Sequence, residues 1–289
     1  MNLIDGKALA ADIREQVKRE ITELGLHPKL GVLLVGDDPS SHIYVNLKEK
    51  AAKEAGIETD IRRLLADTSD EELKNIIEDW NDDEKVDAIL IQIPLPAGHD
   101  TDALIATMDP RKDVDGFHPQ NLAAINSGQS EIFPPVHESI LHLIAATGVD
   151  LRNAKALIIS NSDIFADPLT RLLSRAGSTV DRVRPDDFVN EDGKEADVIV
   201  IAIGRAGFLK SNAIKPGACV IDVGTNRPPN GKVVGDVDAE SVKDLPGWLS
   251  PVPGGVGPLT VALLLQNTVK LAKKNKGGSN FQFPIYNLQ

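Results

Sequence analysis

The order of hydrophobic and polar residues along the chain predicts an α/β protein built from alternating strands and helices. Short apolar runs rich in Val and Ile alternate with longer segments in which apolar residues recur at helical spacing. This alternation is typical of βαβ units, in which helices cover a parallel sheet. Strands are predicted at Leu30–Val35, Thr59–Leu64, Ala88–Ile91, Ala156–Ile159, Thr179–Val183, Val198–Ile201 and Cys219–Val223.

Helices are predicted between these strands, and capping residues support several of their ends. Ser69 followed by Glu72 forms the sequence pattern of a capping box. Gly25, Gly56 and Gly177 come just after predicted helices, where a left-handed residue commonly ends a helix. The predicted helices are Ala8–Leu24, Ser41–Ala55, Asp70–Trp80, Glu138–Ala146, Pro168–Ala176 and Thr260–Lys274.

A segment rich in Pro and Gly, residues 110–135, separates two groups of predicted strands and helices. We therefore predict two α/β domains. Residues 1–135 form the first domain, and a C-terminal helix within 259–289 returns to complete it. Residues 136–258 form a Rossmann-like domain with a parallel sheet.

Composition narrows the functional classes. The net charge of −12 argues against a general nucleic-acid or anionic-membrane binder, since such proteins need surplus Lys and Arg. No apolar run reaches the ~18 residues of a membrane span, and the N-terminus has no secretory core, so we expect a cytoplasmic protein. The six histidines show no metal-ligand spacing, and we predict no metal site. The single cysteine, Cys219, lies in an apolar run and is expected to be buried.

Candidate chemistry lies where predicted strands end. Tyr44 and Lys48 stand four residues apart, so they share one face of the helix that follows the first predicted strand. Gln92 ends another strand before two prolines, and Asp115 lies in the segment Lys112–Pro119. Ligands bind at the carboxyl edge of open α/β sheets, which favours a site there. The alternatives are a surface Lys48 in a salt bridge beside a half-buried Tyr44, and a solvated Gln92.

Together these segments resemble the methylenetetrahydrofolate dehydrogenase/cyclohydrolase family, and the resemblance runs nearly end to end. Its most specific string is Pro-Val-Pro-Gly-Gly-Val-Gly-Pro-Leu-Thr at 251–260. The stretches 202–208 and 221–226, which contain Gly204 and Thr225, add to it. The resemblance implies a folate enzyme of one-carbon metabolism that acts on tetrahydrofolate derivatives, uses NADP and forms a homodimer.

The resemblance also implies roles for individual residues of the folate site. Tyr44 is similar to the ring that stacks on the pterin, and Asp115 to the carboxylate that holds it. Lys48 resembles the lysine that transfers protons during hydrolysis of the methenyl bridge, and Gln92 the glutamine that hydrogen-bonds that lysine. Three further residues are expected to shape the loop over the folate: Gly254, Gly255 and Pro258.

The predicted cofactor site departs from the family pattern. After the strand Ala156–Ile159 the family has Gly-Arg-Ser and then another Gly, whereas this chain reads Ser-Asn-Ser-Asp-Ile-Phe-Ala-Asp-Pro at 160–168. Asp163 and Asp167 place negative charge where phosphates are expected, while Arg182 and Arg184 lie about twenty residues further on, where an arginine can accept a ribose phosphate. The cofactor residues are predicted to be Ser160, Asn161, Ser162, Arg184, Gly204 and Thr225.

These departures lead to a ranked functional prediction. The chain is expected to hydrolyse methenyltetrahydrofolate to formyltetrahydrofolate through Lys48, with weakened NADP binding and with the dehydrogenase step left open. One alternative is the full NADP-dependent bifunctional enzyme with rearranged cofactor contacts, including Arg184. A second is a folate-binding or dimer-scaffold protein without catalysis.

Overall fold

The computed structural model describes residues 1–130, 132–228 and 231–275, which form two compact units. The six-stranded unit comprises Met1–Ala10 and Val136–Thr260, and the three-stranded unit comprises Ala11–Pro135 with 261–275. The first ten residues thus belong with the second predicted domain. Of the segment 259–289 that was predicted to complete the first domain, residues 276–289 lie outside the described residues.

The strands of the three-stranded unit are β2 (Lys29–Val35), β3 (Glu58–Leu64) and β4 (Ala88–Ile91). They form a parallel sheet in the order β3-β2-β4. The central strand β2 is buried along nearly its whole length, which explains its almost uninterrupted apolar sequence. The helices are α1 (Gly6–Leu24, which begins in the six-stranded unit), α2 (Pro39–Ala55), α3 (Asp70–Asp82), α4 (Thr101–Thr107) and α5 (Pro119–Ser127).

Local side chains fix where helix α2 begins and ends. The Asp38 side chain accepts a hydrogen bond from the backbone N–H of Ser41 at 2.7 Å, and Pro39 occupies the first helical turn. Gly56 ends the helix with a φ of 87°, a conformation that glycine adopts without steric cost. The helix is therefore anchored at the carboxyl end of β2.

The strands of the six-stranded unit are β1 (Asn2–Leu3), β5 (Lys155–Ser160), β6 (Thr179–Val183), β7 (Val198–Ala202), β8 (Cys219–Asp222) and β9 (Trp248–Leu249). They form a parallel sheet in the order β1-β9-β8-β7-β5-β6. The helices of this unit are α6 (Pro135–Ala146), α7 (Asp163–Arg175), α8 (Asn190–Glu195), α9 (Ala239–Val242) and α10 (Val256–Asn275), which continues into the three-stranded unit.

The strand order creates a topological switch point in the six-stranded unit. β5 pairs with β6, which follows it through α7, and on its other side with β7. In open α/β sheets ligands bind beside such a point, outside the carboxyl ends of the strands. The two-domain α/β fold with parallel sheets is confirmed, and its topological switch point marks a candidate ligand-binding edge.

Helix α7 differs from its prediction. It begins at Asp163, five residues before the predicted start at Pro168, because the Ser162 side chain caps it by accepting the backbone N–H of Phe165. Pro168 therefore lies inside the helix, although it cannot donate a backbone hydrogen bond there. Strands β1 and β9 have two residues each and were not predicted, since two residues are too few for a pattern. Within the described residues, no helix is long and apolar enough to cross a membrane.

Candidate active site

Lys48 is the central residue of the candidate site in the three-stranded unit. It lies on α2, and only 8% of its surface is exposed. Burial lowers the pKa of its ammonium group, because an apolar environment disfavours the charged form, while the nearby Asp115 acts in the opposite direction. The alternative of a surface lysine in a salt bridge is therefore wrong, and Lys48 is suited to exchange protons closer to neutral pH than an exposed lysine.

Gln92 holds the Lys48 side chain without adding a charge. The Lys48 Nζ atom donates a 2.9 Å hydrogen bond to Gln92 Oε1, and Gln92 Nε2 donates to the backbone oxygen of Ile93 at 2.7 Å. The second bond fixes which end of the amide faces the lysine. A neutral acceptor positions the amine whether or not it is protonated, so the depressed pKa of Lys48 is preserved.

Asp115 supplies the carboxylate of the same site. Burial raises its pKa to about 6, and the neighbouring Asp113 raises it too, whereas the positive charge of Lys48 acts in the opposite direction. Above that pH, Asp115 is a half-buried anion that can accept two hydrogen bonds. Such an acceptor matches the paired N–H donors of a pterin amide–amine edge.

Asp113 organises the loop that carries Asp115. It is fully buried, and its carboxylate accepts the backbone N–H groups of Gly116 and His118 at 3.0 and 2.7 Å. The side chain of Asn121 donates to it at 2.9 Å. This role of Asp113 was not predicted, although an Asp three residues before a Gly is a known turn signal.

The remaining predicted folate residues fall in both units. Tyr44 lies one turn before Lys48 on α2 and is half-buried. Gly254, Gly255 and Pro258 lie in the six-stranded unit, where Pro258 belongs to the first turn of α10. Gly254 has a φ of 118°, which explains why a glycine is needed there. The structure thus brings Lys48, Gln92 and Asp115 together within one unit.

The carboxyl edge of the six-stranded sheet has features that fit a dinucleotide. Ser160 ends β5, Asn161 and Ser162 follow it, and α7 then points its N-terminus at this edge, which favours anions. Asn161 Nδ2 donates to the backbone oxygen of Ile203 across the switch point at 3.1 Å. Gly204 has open space where a Cβ would lie, so a ligand can approach its backbone closely. Thr225 is exposed.

The two aspartates near this edge are paired with arginines. Arg182 contacts Asp163 at 2.6 Å and also Asp167, while Arg184 contacts Asp163 at 2.7 Å. The two arginines therefore balance the negative charge that Asp163 and Asp167 were expected to place at this loop. We call these four residues the arginine–aspartate cluster.

Two buried aspartates shape the other loops of this edge. Asp236 accepts the backbone N–H groups of residues 203, 204 and 205 at 2.7–3.1 Å. Asp222 in turn accepts the backbone N–H groups of Gly224, Asp236 and Val237. Burial raises the pKa of Asp222 to about 7. These positions were not predicted, because nothing in their local sequence shows which distant N–H groups they will meet.

Fold and site together define a two-domain α/β protein, in which a buried lysine donates to a glutamine in one unit and the other unit has a parallel sheet with a topological switch point. Residues 4–115 match the family model of the tetrahydrofolate dehydrogenase/cyclohydrolase catalytic domain, and residues 134–276 match that of its NAD(P)-binding domain. The chain belongs to the tetrahydrofolate dehydrogenase/cyclohydrolase family of one-carbon folate metabolism. No group of three or more potential metal ligands occurs among its described residues.

Individual relatives agree with this assignment. The bifunctional protein FolD of Bacillus subtilis is 41% identical over 276 residues, covering 94% of this chain and 98% of that protein. The crystal structure of the bifunctional enzyme FolD from Campylobacter jejuni is similar with a TM-score of 0.90 and 40% identity, covering 95% of this chain and 99% of that one. The enzyme of Trypanosoma brucei, solved with NADP and an inhibitor, has a TM-score of 0.91 and 30% identity, covering 96% and 98%.

These comparisons correct the prediction made for the cofactor site. The departures at 160–168 led to the prediction of weakened NADP binding and a mainly hydrolytic enzyme. The NAD(P)-binding domain model nevertheless matches the whole region, and the relatives from B. subtilis and C. jejuni are bifunctional. The comparisons thus give no support to a lost cofactor site. Substitutions in the loop were over-weighted because the partners of Asp163 and Asp167 are invisible in the sequence.

Proposed function

We propose that the chain is a bifunctional enzyme that oxidises methylenetetrahydrofolate with NADP and hydrolyses the methenyl product to formyltetrahydrofolate. The observation that carries the hydrolytic half is the hydrogen bond from the buried Lys48 to Gln92 beside Asp115. The match of residues 134–276 to an NAD(P)-binding domain supports the oxidative half. Family membership also supports the predicted homodimer, which light scattering tests against the chain mass of 31.1 kDa.

Hydrolysis needs a group that first accepts and then returns a proton. Neutral Lys48 accepts a proton from the water as its oxygen bonds to the positively charged methenyl carbon. When the adduct opens, Lys48 returns the proton to the leaving ring nitrogen, and the hydroxyl proton of the adduct leaves as the formyl C=O forms. Such positioned proton transfer typically accelerates a reaction about 10²–10⁴-fold.

The other residues of the site orient the reactants. Gln92 fixes the direction of the lysine amine, Asp115 accepts the pterin N–H donors, and Tyr44 stacks on the pterin. Ser162, Gly204 and Arg184 would hold the dinucleotide, and its nicotinamide ring would supply the hydride acceptor that oxidation of the methylene group needs. These roles rest on the family resemblance together with the placement of each residue.

The two activities are tested on one purified protein. Hydrolysis is followed by the loss of methenyl absorbance, and oxidation by NADPH formation from methylenetetrahydrofolate. We expect both reactions in the wild type, and Lys48→Met should slow hydrolysis about 10²–10⁴-fold while NADP binding stays unchanged. Lys50→Met, which removes an exposed lysine from the same helix, is the control. Full hydrolysis in Lys48→Met contradicts the proposed mechanism, and folate binding without either reaction favours the non-catalytic alternative.

A further inference from the structure

The arginine–aspartate cluster lies at the carboxyl end of β6, the edge strand of the six-stranded sheet. Arg184 comes directly after β6, and Asp163 opens α7, which follows the neighbouring strand β5. In dinucleotide-binding folds, the residue about twenty positions after the phosphate loop selects the adenosine ribose. An acidic residue there binds the ribose hydroxyls, whereas an arginine accepts a 2′-phosphate.

Both guanidinium groups of the cluster already have partners within the protein. Arg182 bonds to Asp163 at 2.6 Å and to Asp167, while Arg184 bonds to Asp163 at 2.7 Å and to the backbone oxygen of Asn161. Two carboxylates thus balance two guanidinium groups. The cluster therefore offers a phosphate no surplus positive charge until one of these contacts opens.

The exposure of the cluster makes such an exchange feasible. Between 35% and 60% of each side chain is exposed, so water screens the ion pairs and they are individually weak. A phosphate monoester is close to a dianion at neutral pH and can bind an arginine through two parallel hydrogen bonds. It is thus a stronger partner for the arginines than an exposed carboxylate. The displaced aspartates then face the phosphate and repel it.

We propose that Arg182 and Arg184 bind the 2′-phosphate of NADP in this chain, and that Asp163 and Asp167 compete with that phosphate for the same guanidinium groups. The proposal rests on the proposed function, because it presupposes that the six-stranded unit binds a dinucleotide. The two aspartates set the preference for NADP over NAD, because they reduce the extra affinity that the 2′-phosphate gives to NADP. Removing either carboxylate frees an arginine and widens the preference.

Calorimetric titration of the full-length protein with NADP, NAD and adenosine 2′,5′-bisphosphate tests this without requiring turnover. We expect Arg184→Gln and Arg182→Gln each to weaken NADP and the bisphosphate about tenfold, with less than a twofold change for NAD. Asp163→Asn and Asp167→Asn should tighten NADP several-fold relative to NAD. The ratio of NADP affinity to NAD affinity is the decisive quantity, since removing a negative charge at the start of α7 strengthens the binding of every anion.

A matched control is available in the same unit. Asp186 forms a similar exposed ion pair with Arg205 at 2.7 Å, and Asp186→Asn should leave the NADP-to-NAD ratio unchanged. Equal effects of the arginine variants on NADP and NAD overturn the proposal, as do aspartate variants that leave the ratio constant. If the wild type oxidises the folate with NAD and not with NADP, this proposal is refuted but the dehydrogenase function is not. Arginine-dependent NADP binding without either folate reaction refutes the function and leaves this proposal standing.

Discussion

Lys48 of the three-stranded unit and the two arginines of the six-stranded unit are held by partners of opposite kinds. Lys48 is buried and bonds to the neutral amide of Gln92, with Asp115 nearby. Arg182 and Arg184 are partly exposed and bond to carboxylates. A buried amine with a neutral partner changes its pKa and becomes a proton carrier. An exposed cation with an anionic partner keeps its charge and can exchange that partner for a ligand.

The same contrast occurs within the six-stranded unit, between the exposed Asp163 and the buried Asp222. Asp163 can exchange partners, whereas Asp222 is 3% exposed and its carboxylate accepts three backbone N–H groups that fix two loops. A substitution that disturbs Asp222 should therefore cost stability, and one at Asp163 should alter binding. Three substitutions and a change in salt concentration test this contrast, from the largest expected effect to the smallest.

Gly235→Ala should produce the largest loss of stability. A Cβ at this position would lie 1.9 Å from Asp222 Oδ2, and that carboxylate cannot move without releasing its backbone donors. We expect the free energy of unfolding of the six-stranded unit to fall by about 3 kcal/mol. Hydrogen exchange of β8 amides measures it, with the half-buried neighbour Val233→Ala as the control. If β8 amides exchange at the same rate in Gly235→Ala as in the wild type, the loops adjust to the added Cβ at little cost in free energy.

Asp113→Asn should have the next largest effect, in the three-stranded unit. The carboxylate of Asp113 accepts three hydrogen bonds, and an amide at this position turns an N–H₂ group toward at least one of those donors. We expect a loss of about 1–3 kcal/mol, measured by hydrogen exchange in β4 and α5. Asp102→Asn, on α4, is the control. A stable variant with slow hydrolysis would instead give Asp113 a direct part in substrate binding.

The fold was largely predictable from the sequence, because buried positions carry apolar residues at the regular spacing of a helix or a strand. The central strand β2 was predicted to within one residue, and Thr179–Val183 was predicted without error. Helix α7 was misplaced because Pro168 resembles a helix start, whereas the side chain of Ser162 provides the cap. The roles of Asp113 and Asp222 could not be predicted, since their partners are set by loop conformation. The pairing of Arg182 with Asp163 likewise depends on the parallel register of β5 and β6.

Gln92→Glu tests whether the neutral partner matters for Lys48. A carboxylate at 92 would stabilise the lysine ammonium, so the pKa of Lys48 should rise, and the neutral base would then form only at higher pH. Below this pKa, the hydrolysis rate at a given pH should fall about tenfold if the pKa of Lys48 rises by about one pH unit. The pH dependence of kcat, compared with that of Gln92→Met, measures the change. A Gln92→Glu profile that coincides with the wild type would show that the lysine does not act as the base.

A change in ionic strength should affect the exposed arginine–aspartate cluster more than the buried Lys48, and this is the smallest effect that we predict. Raising salt from about 0.1 M to about 1 M shortens the screening length from about 10 Å to about 3 Å, which weakens exposed charge pairs far more than buried ones. Binding of adenosine 2′,5′-bisphosphate at the arginine–aspartate cluster should therefore weaken several-fold. The kcat of hydrolysis at saturating folate should change less than twofold, because Lys48 is shielded from the solvent. Arg184→Gln should lose part of the salt dependence of bisphosphate binding. If hydrolysis responds to salt as strongly as binding does, the buried lysine and the exposed arginines do not differ in the way their partners indicate.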